Sequence, residues 1–328
     1  VRLCRFPLAR RYTQAVCWLT GQRMPVDERP GAELQQLLLK HPRDFTIAAA
    51  RAKQIVRGHD TIIDSALERV ASNMTLRKRR KNSQSLGPLA SFLIVGPEGV
   101  GKRYASRVLS KLLYRAGQTE VFLCERLTVG ELIGSKQQAG DLLEIVRQEP
   151  FQTLVFENVE KVSPEVAGVL TRILTSGELS QPGGQSPVSF RNTVVFVTTT
   201  ALHEKKDGEF SEDLPSEQRM HDVLRDEFGV SSSLLSAFDE MFVCEQLDDL
   251  VKAEVISLMM KKECSNHGVA LSHVDPEIVA TQVVQVDGVT GFSLAPNRIK
   301  KLLSKPLVAA SAGHHDRLSL RIRPTEEV

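Results

Sequence analysis

The sequence predicts an α/β fold in which helices flank a parallel sheet, joined to a smaller helical C-terminal domain that ends in a strand. Apolar runs at 91–95, at 153–157 and within 190–200 indicate buried strands, because they are continuous and short. From Leu247 onward, helical periods with charged faces dominate the chain. Residues 318–323 alternate apolar and polar side chains, which indicates the terminal strand.

The first apolar run stops at a glycine-rich turn, and a helical pattern follows that turn. The turn has the spacing Gly-x-x-x-x-Gly-Lys, and a strand before it and a helix after it are the context of a phosphate-binding loop. Glycines allow the backbone N–H groups to point inward, and the helix N-terminus and a lysine add positive charge. The candidate phosphate-binding residues are Gly96, Pro97, Glu98, Gly99, Val100, Gly101, Lys102 and Arg103.

The eighth position of this loop departs from the usual pattern. A serine or threonine there would place a hydroxyl on Mg²⁺, whereas this chain has Arg103, which cannot ligate a metal. We therefore expect the loop to hold the phosphates of ATP or ADP and to be poorly equipped for Mg²⁺. The charge of Arg103 offers a partial replacement for the metal, so binding should depend only weakly on Mg²⁺.

Length and composition narrow the class of protein. A chain of 328 residues is long enough for two domains, and its formal net charge of +2 argues against a dedicated nucleic-acid surface. The five cysteines are scattered and form no Cys-x-x-Cys pair, which is typical of reduced residues in a cytoplasmic protein. No apolar run approaches the length of a bilayer span, so we expect no transmembrane helix.

Several motifs, taken in order, resemble those of one family. Trp18-Leu19-Thr20-Gly21 is followed by Pro25-Val26, then by Val56-Arg57-Gly58-His59-Asp60, a basic linker at 77–88, and the phosphate loop. This order is similar to that of the second ATPase module of the Clp family of AAA+ unfoldases, from about Cys17 to the C-terminus. The resemblance implies that Val56–Asp60 lines the adenine end of a nucleotide site, with Val56 and Gly58 as the selected binding residues.

The resemblance also implies how the chain is divided. Residues 1–50 would be an N-terminal linker-like segment, 51–246 the large α/β nucleotide-binding domain, and 247–328 a C-terminal helical lid domain. Residues 1–26 carry arginines and no acidic residue, as organelle transit peptides do. The resemblance instead interprets them as the remnant of a link from a preceding module, and a fragment boundary or an alternative start codon explains Val1 equally well.

Catalytic positions carried over from the family are substituted in this chain. The family's Asp-Glu pair, which binds metal and activates water, corresponds to Glu157-Asn158; Glu157 retains some capacity for metal, but Asn158 cannot accept a proton from water. The water-positioning asparagine corresponds to Thr200, and the arginine finger corresponds to Ala237. None of the groups that would drive hydrolysis is therefore intact in this part of the sequence.

Two further family features differ as well. The sensor arginine of the lid corresponds to Ala295, and Arg298, one helical turn later, is a candidate substitute that would contact nucleotide. The aromatic pore loop of the family is reduced to Ser135–Ala139, which contains no aromatic residue. We therefore do not expect this chain to thread polypeptides.

Three interpretations remain open at this point. The first is a degenerate Clp-type module that binds ATP or ADP, hydrolyses it poorly or not at all, and acts as a scaffold or regulator with protein partners in a ring or larger assembly. The second is an active Clp-type chaperone, such as an unfoldase or a disassembly motor of a secretion machine. The third is an interaction module that binds no nucleotide. Intact Lys102 favours the first over the third, and Asn158 favours the first over the second.

Overall fold

The computed structural model describes residues 36–79, 86–184, 186–201, 217–286 and 291–322. The basic N-terminal segment and the motifs at Trp18 and Pro25 lie outside these residues. The main unit, Leu38–Val328, contains all the elements discussed below. No helix in the part of the chain that is described has the length and hydrophobicity needed to cross a membrane.

Helices and strands alternate through most of the chain. The helices are α1 Pro42–Ile55, α2 Asp60–Arg79, α3 Lys102–Leu113, α4 Val129–Ile133, α5 Asp141–Gln148, α6 Pro164–Ser176, α7 Glu217–Asp226, α8 Ser232–Leu235, α9 Asp249–Asn266, α10 Pro276–Val284 and α11 Ala295–Ala312. The strands are β1 Ala90–Val95, β2 Thr119–Leu123, β3 Thr153–Glu157, β4 Glu178–Leu179, β5 Val188–Ser189, β6 Val194–Thr199, β7 Glu240–Val243, β8 Ala270–Val274 and β9 Arg317–Leu320.

The central sheet has five strands in the order β2-β3-β6-β1-β7, and every pairing is parallel. The inner strands β1 and β6 are buried along their whole length, whereas the edge strands β2 and β7 are half-buried. Burial on both faces requires continuous apolar strands, which is the pattern that the sequence shows. The predicted α/β fold with a parallel sheet flanked by helices is confirmed.

Strand register brings the carboxyl ends of three strands to one edge of the sheet. Glu157, the last residue of β3, lies opposite Thr198 of β6, and Val95, the last residue of β1, lies opposite Thr199. Loops that follow parallel strands at a common edge form the usual ligand-binding face of an α/β sheet. The loop that begins at Gly96 is therefore adjacent to Glu157 and Thr200.

The C-terminal part of the chain has a second hydrophobic core. Ile256 and Met260 of α9 are fully buried with Ile299 and Leu303 of α11. The predicted terminal strand is β9, which pairs in parallel with β8, a strand that sequence analysis did not identify. The boundary predicted at residue 50 falls within α1, and the division into 51–246 and 247–328 stays a prediction.

The amino ends of β1 and β7 are joined by side-chain hydrogen bonds. Asp239 accepts from the backbone N–H of Ser91 at 2.8 Å and from its hydroxyl at 2.9 Å. Glu240 accepts two hydrogen bonds from Arg69 of α2, at 2.6 and 2.9 Å. This adjacent acidic pair therefore connects the edge strand β7 to the rest of the sheet.

Replacing Asp239 should weaken this connection. Asp239→Ala removes both hydrogen bonds to Ser91, and we expect the free energy of unfolding to fall by about 1–2 kcal/mol. Urea denaturation followed by circular dichroism measures the change. Asp226→Ala is the control, because the partner of Asp226 within the described residues is the exposed Arg225 next to it, and its effect should be clearly smaller. Equal effects of the two substitutions would contradict this role for Asp239.

Candidate functional site

A cavity of about 1000 Å³ lies between the carboxyl edge of the sheet and the C-terminal helices. This volume is at the upper end of the usual range for ligand pockets and is sufficient for a nucleotide. The described residues that line the cavity come from the phosphate loop, from the segment before α2, from the ends of β3 and β6, and from α9 and α11. Residues of the α/β part of the chain and of its C-terminal helical part therefore line one site.

The phosphate loop lies close against the end of β7. A Cβ atom added to Gly96 would lie 2.4 Å from the carbonyl oxygen of Cys244, so only glycine allows this approach. Gly101, with φ of 99°, precedes the first residue of α3 in a left-handed conformation. The helix therefore begins at Lys102 with its unpaired N–H groups directed toward the loop, an arrangement suited to anions.

Lys102 is directed back over the loop. Its ammonium donates hydrogen bonds of 2.6 Å to the carbonyls of both Gly96 and Pro97. An ammonium has three N–H donors, so one remains for an anionic ligand. Burial lowers the pKa of Lys102, while nearby acidic groups, Cys244 and Glu157 first among them, act in the opposite direction. A bound phosphate would offset the cost of burying this charge.

His59 holds the loop from the other side. Its imidazole Nε2 lies 2.7 Å from the carbonyl oxygen of Val100, and the residue is only 3 % exposed. Burial lowers the pKa of His59, so the neutral ring donates through Nε2–H to that carbonyl. Sequence analysis did not select His59, although it lies in the motif 56–60. Of the residues selected from that motif, Val56 lines the cavity, whereas Gly58 lies against Leu247.

Arg103 and Glu157 form an ion pair across the site. Arg103 Nε donates to one carboxylate oxygen of Glu157 at 2.5 Å, and a terminal guanidinium nitrogen donates to the other. This hydrogen bonding raises the pKa of Arg103, so the guanidinium remains charged. Both oxygens of Glu157 are therefore used by a cation that belongs to the phosphate loop itself.

These residues do not fit a magnesium ion. Mg²⁺ requires oxygen ligands in near-octahedral geometry. The loop supplies a guanidinium where a hydroxyl would be needed, and the carboxylate nearest to it is engaged on both oxygens. The described residues also contain no group of three or more His, Cys, Asp or Glu side chains able to hold a metal ion.

The residues after β3 and β6 meet beside this ion pair. Asn158 lines the cavity in a left-handed conformation, φ 60° and ψ 57°, which asparagine adopts more readily than most residues. The hydroxyl of Thr200 donates to a carboxylate oxygen of Glu160 at 3.1 Å. Sequence analysis did not select Glu160, because its partner lies 40 residues away and no local pattern relates the two.

The remaining predicted site residues lie apart from the cavity lining. Ala237 packs against the core of the large sheet, and Ala295 is buried in the C-terminal core at the start of α11. Arg298 donates to the carbonyl oxygen of Gln285 and is not among the described residues that line the cavity. On the same helix, Pro296 and Ile299 do line it.

The C-terminal part contacts the phosphate loop directly. The backbone N–H of Phe292 donates to the carbonyl oxygen of Gly99 at 3.3 Å. Lys262 of α9 lies 5.8 Å from the ring centre of Tyr104 in α3, within the range of a cation–π contact. Sequence analysis selected neither contact, because each joins residues far apart in the chain.

The shortened segment Ser135–Ala139 is a closed turn. Gly134 and Ala139 form an antiparallel bridge, and the backbone N–H of Ser135 donates to the carbonyl oxygen of Gln138 at 2.8 Å. The side-chain amide of Gln181 donates to the carbonyl oxygen of Ser135 at 2.8 Å. The turn is thus connected to the segment between β4 and β5.

Comparison with known proteins agrees with this architecture. Residues 87–230 match the AAA domain (Cdc48 subfamily). The chain is 28% identical over 253 residues to chaperone protein ClpB 1 of Parasynechococcus marenigrum, which covers 71% of this chain and 29% of that protein. It is 27% identical over 285 residues to chaperone protein ClpB of Rickettsia bellii, which covers 79% of this chain and 30% of that protein.

A third relative is the ATP-dependent Clp protease ATP-binding subunit ClpA homolog of Guillardia theta, 30% identical over 227 residues, or 62% of this chain and 28% of that protein. The chain thus spans less than a third of the length of these relatives. The order of strands in the sheet, the phosphate loop at its carboxyl edge and these similarities agree with one another. Together they support a Clp-family AAA+ ATPase module.

Proposed function

We propose that this module binds ATP or ADP in the cavity, hydrolyses it poorly or not at all, and acts as a scaffold or regulator within a larger assembly. The observation that carries the proposal is the contrast between the two sides of the site. The loop Gly96–Lys102 has the backbone and the ammonium that hold phosphates. At the end of β3, where hydrolysis needs a base, the cavity is lined by the amide of Asn158.

Hydrolysis needs more than bound phosphate. A base or positioning group must orient the attacking water, and cations must stabilise the charge that develops on the transferred phosphoryl group. Asn158 does not accept the proton, and the methyl groups of the partly buried Ala237 and the buried Ala295 carry no charge. The loss of one such group typically costs about 10²–10³ in rate, so their combined loss should bring turnover close to the uncatalysed rate.

Nucleotide binding is favoured over a module without nucleotide. Lys102 is mostly buried, and a buried ammonium is costly unless it is paired. Two loop carbonyls satisfy part of its hydrogen-bonding capacity, and an anion would satisfy the rest. A protein that used only its outer surface would have no need of a charged lysine at this position.

One observation supports the alternative of an active ATPase. Glu160 lies beside the end of β3. One of its oxygens accepts from Thr200, and the other is buried with no hydrogen-bond partner among the described residues. A carboxylate in this environment is a candidate base in place of Asn158. The alternative therefore requires Glu160 to contact the attacking water, which makes Glu160→Gln the substitution that distinguishes the two proposals.

Protein partners follow from the same proposal. The ClpA homolog of Guillardia theta is named as an ATP-binding subunit of a protease, so modules of this family occur in assemblies. The present module would join such an assembly through its lateral surfaces, with residues 51–246 and 247–328 as its two domains. A cytoplasmic location stays a prediction from the cysteine content.

Removing the ammonium should abolish nucleotide binding. We expect Lys102→Ala to weaken ADP binding about 100-fold or more, because a buried charge-assisted contact with phosphate is lost. Isothermal titration calorimetry measures the affinity, and circular dichroism checks the fold. Lys111→Ala is the matched control, since Lys111 lies in the last turn of the same helix, outside the cavity lining. Undiminished binding by Lys102→Ala would refute the proposed site.

ATP turnover should be undetectable in a steady-state phosphate-release assay. A rate of about one per minute would already be far below that of typical enzymes. A wild-type rate of about one turnover per minute or more that disappears in Lys102→Ala would show that the module is an active ATPase. Loss of the same rate in Glu160→Gln would then identify Glu160 as the base. Asn158→Glu alone should not restore turnover, because the cations are missing as well.

ATP should not drive formation of a homo-hexamer. In AAA+ rings the arginine finger of one subunit contacts the nucleotide of its neighbour, and this chain has a partly buried alanine, Ala237, at that position. We expect a monomer or small oligomer whose mass is unchanged by ATP. Size exclusion with light scattering, with and without ATP, measures this mass. A hexamer that appears only with ATP would favour the active chaperone instead.

A further inference from the structure

We infer that the ion pair of Arg103 and Glu157 takes the place of the metal in this site, so that the module selects free nucleotide over the magnesium complex. The inference rests on the proposed function, since it concerns how the same cavity binds ADP or ATP. It goes further, because it assigns a role to Glu157 and defines the chemical form of the ligand.

The geometry of the pair leaves the guanidinium available to a ligand. The side chain of Arg103 is 46 % exposed, whereas that of Glu157 is only 14 % exposed. A guanidinium has five N–H donors, and Glu157 accepts from two of them. The remaining three donors are free to reach phosphate oxygens, and the planar group matches phosphate geometry. Glu157 therefore positions the cation and does not need to contact the ligand.

The charge of the cavity suits a polyphosphate without a metal. Six cationic and three acidic side chains are among the described residues that line it. The cations are Arg57, Lys102, Arg103, Arg107, Lys161 and Lys262, and the acidic residues are Glu98, Glu157 and Glu263. This surplus of positive charge comes from the protein itself and can balance phosphate charges that Mg²⁺ would otherwise neutralise.

The same arrangement opposes the magnesium complex. A metal ion that used Glu157 would have to displace the guanidinium, which would leave Arg103 without its partner. The divalent ion would also lie next to a fixed positive charge, at a cost that increases as water is excluded. Nucleotide that carries Mg²⁺ therefore meets repulsion at the position where a metal-dependent site would offer ligands.

Calorimetry with ADP in EDTA and in excess Mg²⁺ tests the inference. The wild-type chain should bind ADP more tightly in EDTA than in excess Mg²⁺, and equal affinity in the two buffers would contradict the selection. Arg103→Thr restores a hydroxyl and frees Glu157, so its affinity in EDTA should fall about tenfold or more, as expected for a lost charged contact, and should recover when Mg²⁺ is added. This gain of metal dependence is the result that a purely structural role of Arg103 would not produce.

Two further variants act as controls. Arg107→Thr removes a cation that lines the cavity one turn later on the same helix, and any loss of affinity should be the same with and without Mg²⁺. Glu157→Gln should keep the preference for free nucleotide, because Arg103 remains. If Arg103→Thr proved unstable, the affinities of the wild type and of Glu157→Gln in EDTA and in Mg²⁺ would still test the preference for free nucleotide.

The outcomes separate the inference from the proposal on which it rests. Binding by the wild type only when Mg²⁺ is present would overturn the inference and leave nucleotide binding established. Unchanged affinity of Arg103→Thr in EDTA would likewise remove the role of the ion pair. A wild-type chain that binds ADP and ATP in neither buffer would overturn the proposed function, and the inference with it.

Discussion

Parallel pairing in the central sheet is the constraint on which the rest of the structure depends. β1 lies between β6 and β7, and its register with both strands determines where they end. Gly96 follows β1 directly and approaches the carbonyl of Cys244 closely. Because parallel strands end at a common edge, the phosphate loop, Glu157 and Thr200 come together although they are distant in the chain.

At this edge, Arg103 and Glu157 form an ion pair, which we infer takes the place of a metal. Arg103 stands where a hydroxyl ligand for a metal would be needed. It also occupies both oxygens of Glu157, the carboxylate that could otherwise bind the metal. Balancing phosphate charge requires cations, which the cavity supplies, whereas turnover also requires a base and a correctly oriented water. Under the proposed function, binding and hydrolysis are therefore separable in this module for a physical reason.

The parts of the fold that sequence analysis predicted are those with strong local patterns. β1, β3 and β6 were predicted because strands buried on both faces must be continuously apolar. β4 and β5 have two residues each, and β8 is largely exposed, so neither length nor periodicity distinguished them. The contact of His59 with the phosphate loop was not predicted, because its partner is the carbonyl oxygen of Val100, which lies 41 residues later in the chain.

By itself, the sequence determined where the phosphate loop lies in the chain. The glycine conformations and the start of the helix that form it depend on residues within one short segment. The prediction that catalytic side chains are substituted also comes from the sequence, through the family resemblance. Only the tertiary structure decided that Arg103 pairs with Glu157, 54 residues away, and that Phe292 reaches Gly99. Such contacts depend on the order of strands in the sheet and on the position of the C-terminal segment beside the phosphate loop, and no local pattern of residues specifies either one.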